Sequence, residues 1–381
     1  MRLAALMLLG LGGAAGAATR ADIDKLVTQI KAVSKAGVGN QEAGAAWRQL
    51  VSAGPEALIP TLAGMDDASA PAANWLRSAV DAIVEHEKGT DRKLPAGELE
   101  AFVKDRKHAP AARRIAYELL VGADPKTAER LLPAMLDDPS NELRRDAIAM
   151  AMTKAEKSEG AAARTEYEKL FATVRDDDQA KAIATALEKH GGKADLVRQF
   201  GIVTRWWLVG PFDGPKASGF KSPYEPETKV DLAAAYKGKS GTDVRWMPFT
   251  VEIDLKSYDL DQVGEVDLNK AIGKHKDAVA YAYTVVEADK ELPVEIRYGC
   301  INASKLFLNG KPVFAREEYH HGENFDQYVA RVTLKSGKND LLLKVCQNDQ
   351  KEPFAQVWQF KLRICDTTGG PVPVKVVPTA K

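Results

Sequence analysis

The chain has few cysteines, no charge imbalance, few aromatic residues in its first half and no long apolar run after its start. Its 53 basic residues meet 53 acidic ones, so no global field draws it to nucleic acid or to an anionic membrane. The three cysteines are Cys300, Cys346 and Cys365, none in a CxxC or Cys/His spacing that would hold zinc. An odd count leaves at least one thiol unpaired within the chain. An oxidising compartment allows one bridge, and Cys300 with Cys346 suits it because both end strand-like runs. The alternative is three buried, small apolar side chains. No P-loop, dinucleotide fingerprint, HExxH or Gly-x-Ser-x-Gly occurs, and 53 acidic residues without a fold-specific motif single out no glycosidase carboxylate pair.

The one early apolar run, Leu3 to Leu11, is short of the roughly 20 residues a spanning helix needs, and glycines interrupt it. With Arg2 before it and Ala15-Gly16-Ala17 after it, residues 1–18 read as a secretory signal cleaved near Ala17 or Ala18. The expected mature protein is extracytoplasmic, periplasmic or secreted, with no membrane insertion once the signal is removed. An uncleaved anchor is the alternative.

What is present divides the chain. Only Trp47, Trp75, Phe102, Tyr117, Tyr167 and Phe171 precede Phe200, out of 11 Phe, 6 Trp and 10 Tyr, so the two halves bury their cores by different means. From about Ala21 to His190 apolar residues recur at helical spacing in short segments broken by Gly, Pro and Asp. A local grammar repeats. Leu58-Ile59-Pro60-Thr61-Leu62 with an acidic turn at Asp66-Asp67 precedes Trp75-Leu76-Arg77, and Leu131-Leu132-Pro133 with Asp137-Asp138 precedes Leu143-Arg144-Arg145. With a weaker copy from Leu99 between them, these copies lie about 35 to 40 residues apart and resemble HEAT repeats over about residues 40–190, which implies a helical-pair solenoid domain over residues 19–195; a plain helical bundle is the alternative. HEAT-like arrays are generally non-catalytic platforms, so the resemblance implies a protein partner.

Gly191-Gly192 supplies a helix stop, and by Arg205 the apolar period has become 2. Strand-like runs follow at Trp206 to Val209, Arg245 to Phe249, Val279 to Val286, Pro293 to Tyr298, Lys305 to Leu308, Tyr328 to Leu334, Asp340 to Val345 and Gln356 to Ile364. They predict an antiparallel β-sandwich or jelly roll over residues 200–370, followed by a proline-containing tail, 371–381. Asn309-Gly310 between two strands predicts a type I′ hairpin. The order Trp-Leu-Val-Gly-Pro-Phe (207–212), Tyr224-Glu225-Pro226-Glu227, Ala280-Tyr281-Ala282-Tyr283, Leu306-Phe307-Leu308-Asn309-Gly310-Lys311 and Trp358 with Phe360 resembles the galactose-binding-like jelly-roll domains of exported bacterial proteins and glycoside hydrolases. Some members of that family bind sugars and others only pack against neighbouring domains, so the resemblance implies a fold and leaves the ligand open.

Candidate site residues lie in that second half. Tyr319, His320, His321 and Asp326 belong to a polar segment after the hairpin that suits ligand contact better than catalysis, and Trp206 is the tryptophan with the best prospect of facing a sugar ring. Asp259, Asp261 and Asp267 fail the EF-hand pattern, since Val263 and Lys270 stand where ligands belong. A structural Ca²⁺ is frequent in the family resembled, which keeps those three aspartates as candidate ligands. No other cofactor is expected. The leading expectation is an exported, non-enzymatic scaffold or adaptor; the alternatives are a carbohydrate-binding protein using the sandwich loops and an unrecognised hydrolase.

Overall fold

The computed structural model describes residues 18–90, 92–253, 260 and 262–377. The signal-peptide reading falls, but for Ala18, outside these residues, as do Asp259 and Asp261. Among the described residues no helix is long and apolar enough to cross a membrane. They pack as two compact units, one up to Arg144 and one from Arg145 on.

The first unit holds the helices α1 (Arg20–Lys31), α2 (Asn40–Ala53), α3 (Leu58–Ala63), α4 (Ala70–Glu87), α5 (Ala96–Lys104), α6 (Pro110–Ala123) and α7 (Lys126–Leu131) and the start of α8 (Asn141–Ala155). Local chemistry explains where they begin. Thr19 and Asp22 form a reciprocal capping box at α1. Ser69 accepts the Ala72 N–H at α4, where Pro71 fits the first turn because its missing N–H would have had no partner. Along α4, Ala72, Leu76, Ala79, Val80 and Ile83 recur every three or four residues and form one buried face. The acidic turns of the repeated grammar are structural anchors: Asp66 accepts the Ala109 N–H at 2.7 Å, and Asp138 takes both prongs of Arg113 at 2.7 and 2.8 Å with both side chains 1% exposed. The two Leu-Pro copies fold differently, Pro60 lying within α3 and Pro133 in a single 3-10 turn after α7.

The second unit continues with α9 (Gly160–Thr173), α10 (Asp177–Lys189) and α11 (Leu196–Phe200) and then turns to strands. These are β1 (Arg205–Asp213), β2 (Ala235–Lys237), β3 (Asp243–Arg245), β4 (Met247–Thr250), β5 (Val266–Asp267), β6 (Ala278–Ala288), β7 (Leu292–Cys300), β8 (Ala303–Leu308), β9 (Lys311–Arg316), β10 (Tyr328–Leu334), β11 (Gly337–Gln347), β12 (Gln359–Cys365) and β13 (Val374–Val377). The tail beyond residue 370 thus supplies a strand. The secondary structure changes where the composition does, between Phe200 and Arg205, yet the helices from α9 on belong to the same compact unit as the sheets. Gly201, just after α11, lies close against β12. Its φ is +66° and a Cβ there would lie 2.1 Å from the Ile364 carbonyl oxygen, so only glycine fits.

All strand pairings are antiparallel. The larger sheet runs β4-β1-β6-β11-β8-β9 with β13 also on β6, the smaller β10-β7-β12-β5, and β2 with β3 forms a separate ribbon. One apolar core takes the inner faces of both sheets, with Ala280, Ala282, Leu306, Leu343 and Val345 from the larger and Ile296, Tyr298, Phe360 and Leu362 from the smaller. A second cluster covers the larger sheet's outer face, through Val279, Tyr281, Tyr283, Phe307 and Leu342 packed with Phe212, Tyr236 and Trp246. β6 is therefore buried on both faces, which is why its sequence, Ala-Val-Ala-Tyr-Ala-Tyr, is apolar throughout instead of alternating with polar residues. Each large apolar side chain fully buried in these clusters contributes about 1.5–3 kcal/mol.

Strand alternation in β1 corrects one expectation. Trp206 points into the inter-sheet core, 2% exposed, edge-on to Phe360 and donating its indole N–H to the Val203 carbonyl at 3.1 Å. Its ring packs in the core instead of standing out from the sheet, and Trp207 takes the outward, half-buried side. The Cys300–Cys346 bridge is corrected too: all three thiols are free and buried. Cys300 belongs to the core between the sheets and Cys346 to the cluster on the larger sheet's outer face, so the sheet itself stands between them.

Asn309 (φ 51°) and Gly310 (φ 76°) join β8 to β9 in the expected hairpin, with Leu308 paired to Lys311. Gly310→Val places a β-branched residue at positive φ and is expected to lower the stability of this unit by about 1–3 kcal/mol. Chemical denaturation of the variant measures it, and an unchanged midpoint excludes a strained turn.

Candidate functional site

The segment carrying Tyr319, His320, His321 and Asp326 crosses the end of the two sheets as a strap, and its side chains part. Tyr319 packs on the larger sheet's outer cluster, where burial pushes its hydroxyl well above the usual tyrosine value. His320 adopts φ 58° and its Nε2 meets Asn348 Oδ1 at 2.8 Å; burial lowers its imidazole pKa, against the effect of that hydrogen bond. His321 turns the other way, Nε2 to the Tyr328 hydroxyl at 2.9 Å and Nδ1 to Gln327 at 3.1 Å. Asp326 reaches the smaller sheet's outer face, between Arg363 (2.5 Å) and Arg297 (2.9 Å). Burial alone would raise its carboxyl, but the two guanidinium groups hold it below the usual carboxylate range. The four residues thus do not converge on one site.

Asp267 is occupied as a helix cap. It accepts the Lys270 N–H at 3.1 Å at the start of the short helix Leu268–Ala271. Among the described residues no group of three or more His, Cys, Asp or Glu side chains gathers as a metal site.

A carboxylate pair that sequence reading did not single out lies beside the strap. Gln359 Nε2 bonds Glu265 at 2.7 Å and Glu323 at 2.9 Å. Burial, then the Glu323 charge, raises the Glu265 carboxyl. Such a pair invites comparison with glycoside hydrolysis. The small recess lined by Lys361, Arg363 and Phe325, about 10 Å³, takes none of the Glu265, Glu323 and Gln359 side chains into its lining.

One opening with ligand dimensions is on the larger sheet's outer face. A cleft of about 300 Å³ is floored by Tyr283 of β6, Phe307 of β8 and Leu342 of β11, with Asp340 and the Asn309-Gly310 turn at one side and Pro226 to Val230 at the other. The Tyr283 hydroxyl donates to Asp340 Oδ1 at 2.7 Å, and burial together with that carboxylate raises its pKa strongly. Asn309 is held in turn: its Oδ1 accepts the Asp340 N–H at 2.9 Å and its Nδ2 donates to Asn339 at 3.0 Å. The opposite wall is fixed from beneath. Lys344, wholly buried, donates to Glu227 Oε1 and to the Ser222 carbonyl, each at 2.7 Å, while the Tyr281 hydroxyl donates to the same Glu227 oxygen at 2.5 Å. The Lys344 ammonium also lies 4.9 Å from the Tyr224 ring centre. Burial lowers the Lys344 pKa, and the Glu227 bond opposes that shift.

No protein-family model matches the chain. No curated protein matches it either. Among solved structures it is similar to a beta-glucuronidase of an uncultured Clostridium sp. (14% identity, covering 44% of this chain and 29% of that one, TM-score 0.26). It is also similar to a beta-glucosidase of Kluyveromyces marxianus (8% identity, 48% and 21%, TM-score 0.26). A third is a family 35 carbohydrate binding module from an environmental isolate (14% identity, 30% and 88%, TM-score 0.19). The chain thus spans less than a third of the length of the first two.

Proposed function

We propose that this chain is an exported, non-enzymatic carbohydrate-binding protein, with HEAT-like helices followed by a galactose-binding-like β-sandwich that takes a sugar in the cleft over Tyr283 and Phe307. The observation that carries the reading is the cleft's lining, an aromatic floor with Asp340, Asn309 and Lys229 around it. A pyranose has an apolar C–H face and a rim of hydroxyls, and this lining offers a surface to the first and donors and acceptors to the second. At about 300 Å³ the cleft is at the small end of ligand sites, the size of one or two sugar rings, which favours this reading over an adaptor for a macromolecule.

The test is a glycan array followed by calorimetry on the best ligand. Asp340→Ala is expected to weaken binding by roughly 10- to 100-fold, the loss of one charge-assisted hydrogen bond, with the thermal transition retained. No bound glycan, or an Asp340→Ala variant that binds like wild type, refutes the cleft. Release of nitrophenol from chromogenic glycosides would refute the non-enzymatic part.

A further inference from the structure

The first unit has an opening of its own, away from the sheets. A pocket of about 520 Å³ lies between α4 and the segment joining α1 to α2, and Trp75 lines it. Three observations bear on what it takes.

The indole is oriented. Its Nε1 donates to Asn40 Oδ1 at 3.3 Å, which ties the ring to the first residue of α2 and leaves the asparagine Nδ2 as a donor at the pocket's edge. The neighbouring polar groups are almost all neutral: Ser34, Asn40, Asn74 and Ser78 are exposed beside the half-buried indole, and Lys35 is the one formal charge in the lining. Finally, the rim is preformed. Ala36 (φ 62°), Gly37 (φ 78°) and Gly39 (φ 87°) take the left-handed conformation, the Ser34 N–H closes the turn on the Val38 carbonyl at 3.1 Å, and Ser69 Oγ donates to the Val33 carbonyl at 3.2 Å, tying the turn to the start of α4. A non-glycine residue at positive φ, here Ala36, is strained, and such strain concentrates at binding sites.

We infer that the pocket at Trp75 is a second saccharide site, taking a neutral mono- or disaccharide with a ring face against the indole and hydroxyls toward Asn40, Asn74 and Ser78. Neutral amides and hydroxyls around one aromatic ring match an uncharged polyol and offer nothing to pair a phosphate or a carboxylate beyond Lys35. Size argues against a protein partner, which needs about 800 Å² of surface on each side, whereas this recess has the dimensions of a small ligand. The inference shares a ligand class with the cleft over Tyr283 but uses none of its residues, so either stands without the other.

The experiment is calorimetry of the full chain against maltose, cellobiose, chitobiose, mannobiose and xylobiose, repeated on Asn74→Lys, Trp75→Ala and Asp340→Ala. Asn74 is exposed on a helix, so Asn74→Lys fills the pocket without removing a core group, and it covers the case in which Trp75→Ala fails to fold. Two binding events are the expected result, one that falls at least tenfold in Asn74→Lys and persists in Asp340→Ala, and one weakened only in Asp340→Ala. Binding lost only in Asp340→Ala overturns this inference and leaves the sheet cleft standing. Loss only in the α4 variants does the reverse. Silence toward every disaccharide, or recognition of a peptide at Trp75, overturns the saccharide assignment.

Discussion

Asp326→Ala should lower the stability of the sheet-containing unit by about 3–5 kcal/mol, the usual cost of stripping one partner from a buried ion pair. Arg363 is 3% exposed in its side chain and spends its remaining donors on the Gly369 and Phe200 carbonyls, while its guanidinium lies 4.8 Å from the Phe325 ring centre. Without Asp326 its charge stays buried. Acid should produce the same loss. Because the folded-state carboxyl is held below its unfolded value, its stabilisation is present above the unfolded pKa and disappears as pH falls through the folded one. Urea unfolding at pH 7 and in acid checks both: the variant should be weaker at neutral pH and lose less than wild type on acidification. Equal denaturation midpoints for the two proteins at pH 7 would dismiss the ion pair as a stabilising feature.

Glu227→Ala should be comparably severe, about 3–5 kcal/mol, for a related reason and with a functional consequence. Lys344 is 0% exposed, and Glu227 is its only carboxylate partner among the described residues. Removing that carboxylate leaves a buried ammonium with the Ser222 carbonyl and two aromatic rings. Pro226 to Val230 also wall the cleft, so loss of the anchor should expose the stretch to protease and weaken glycan binding together. Replacing both partners by apolar residues, Glu227→Leu with Lys344→Met, should recover much of the stability, since no charge then remains buried. A double variant no more stable than Glu227→Ala contradicts the account. So does a Glu227→Ala segment cut no faster than wild type.

The helices up to Phe200, the strands from Arg205 and the Asn309-Gly310 hairpin were legible because each depends on neighbours in sequence: apolar spacing of 3.6 or 2, a cap, or a pair of residues that accept positive φ. The strap was legible as a polar segment but not as a site. Nothing local says that Tyr319 turns to one sheet, His321 to Tyr328 and Asp326 to two arginines on the other sheet.

The cleft was legible in pieces only. Glu227, Tyr283, Phe307 and Asp340 stood in motifs that spoke for the fold, and they meet because β6 pairs with β11 at Tyr283↔Leu342 and β11 with β8 at Leu342↔Phe307. Those registers join strands far apart in the chain. The sequence by itself determined the change from helices to strands, most of the strands and the two-residue turn, because backbone dihedral preferences and apolar period act over a few residues. Only the tertiary structure decided that Trp206 faces the core and Trp207 does not, that a sheet separates Cys300 from Cys346, and that Lys344 is buried against Glu227, because a strand has two equivalent faces until a second sheet or a covering segment makes them different.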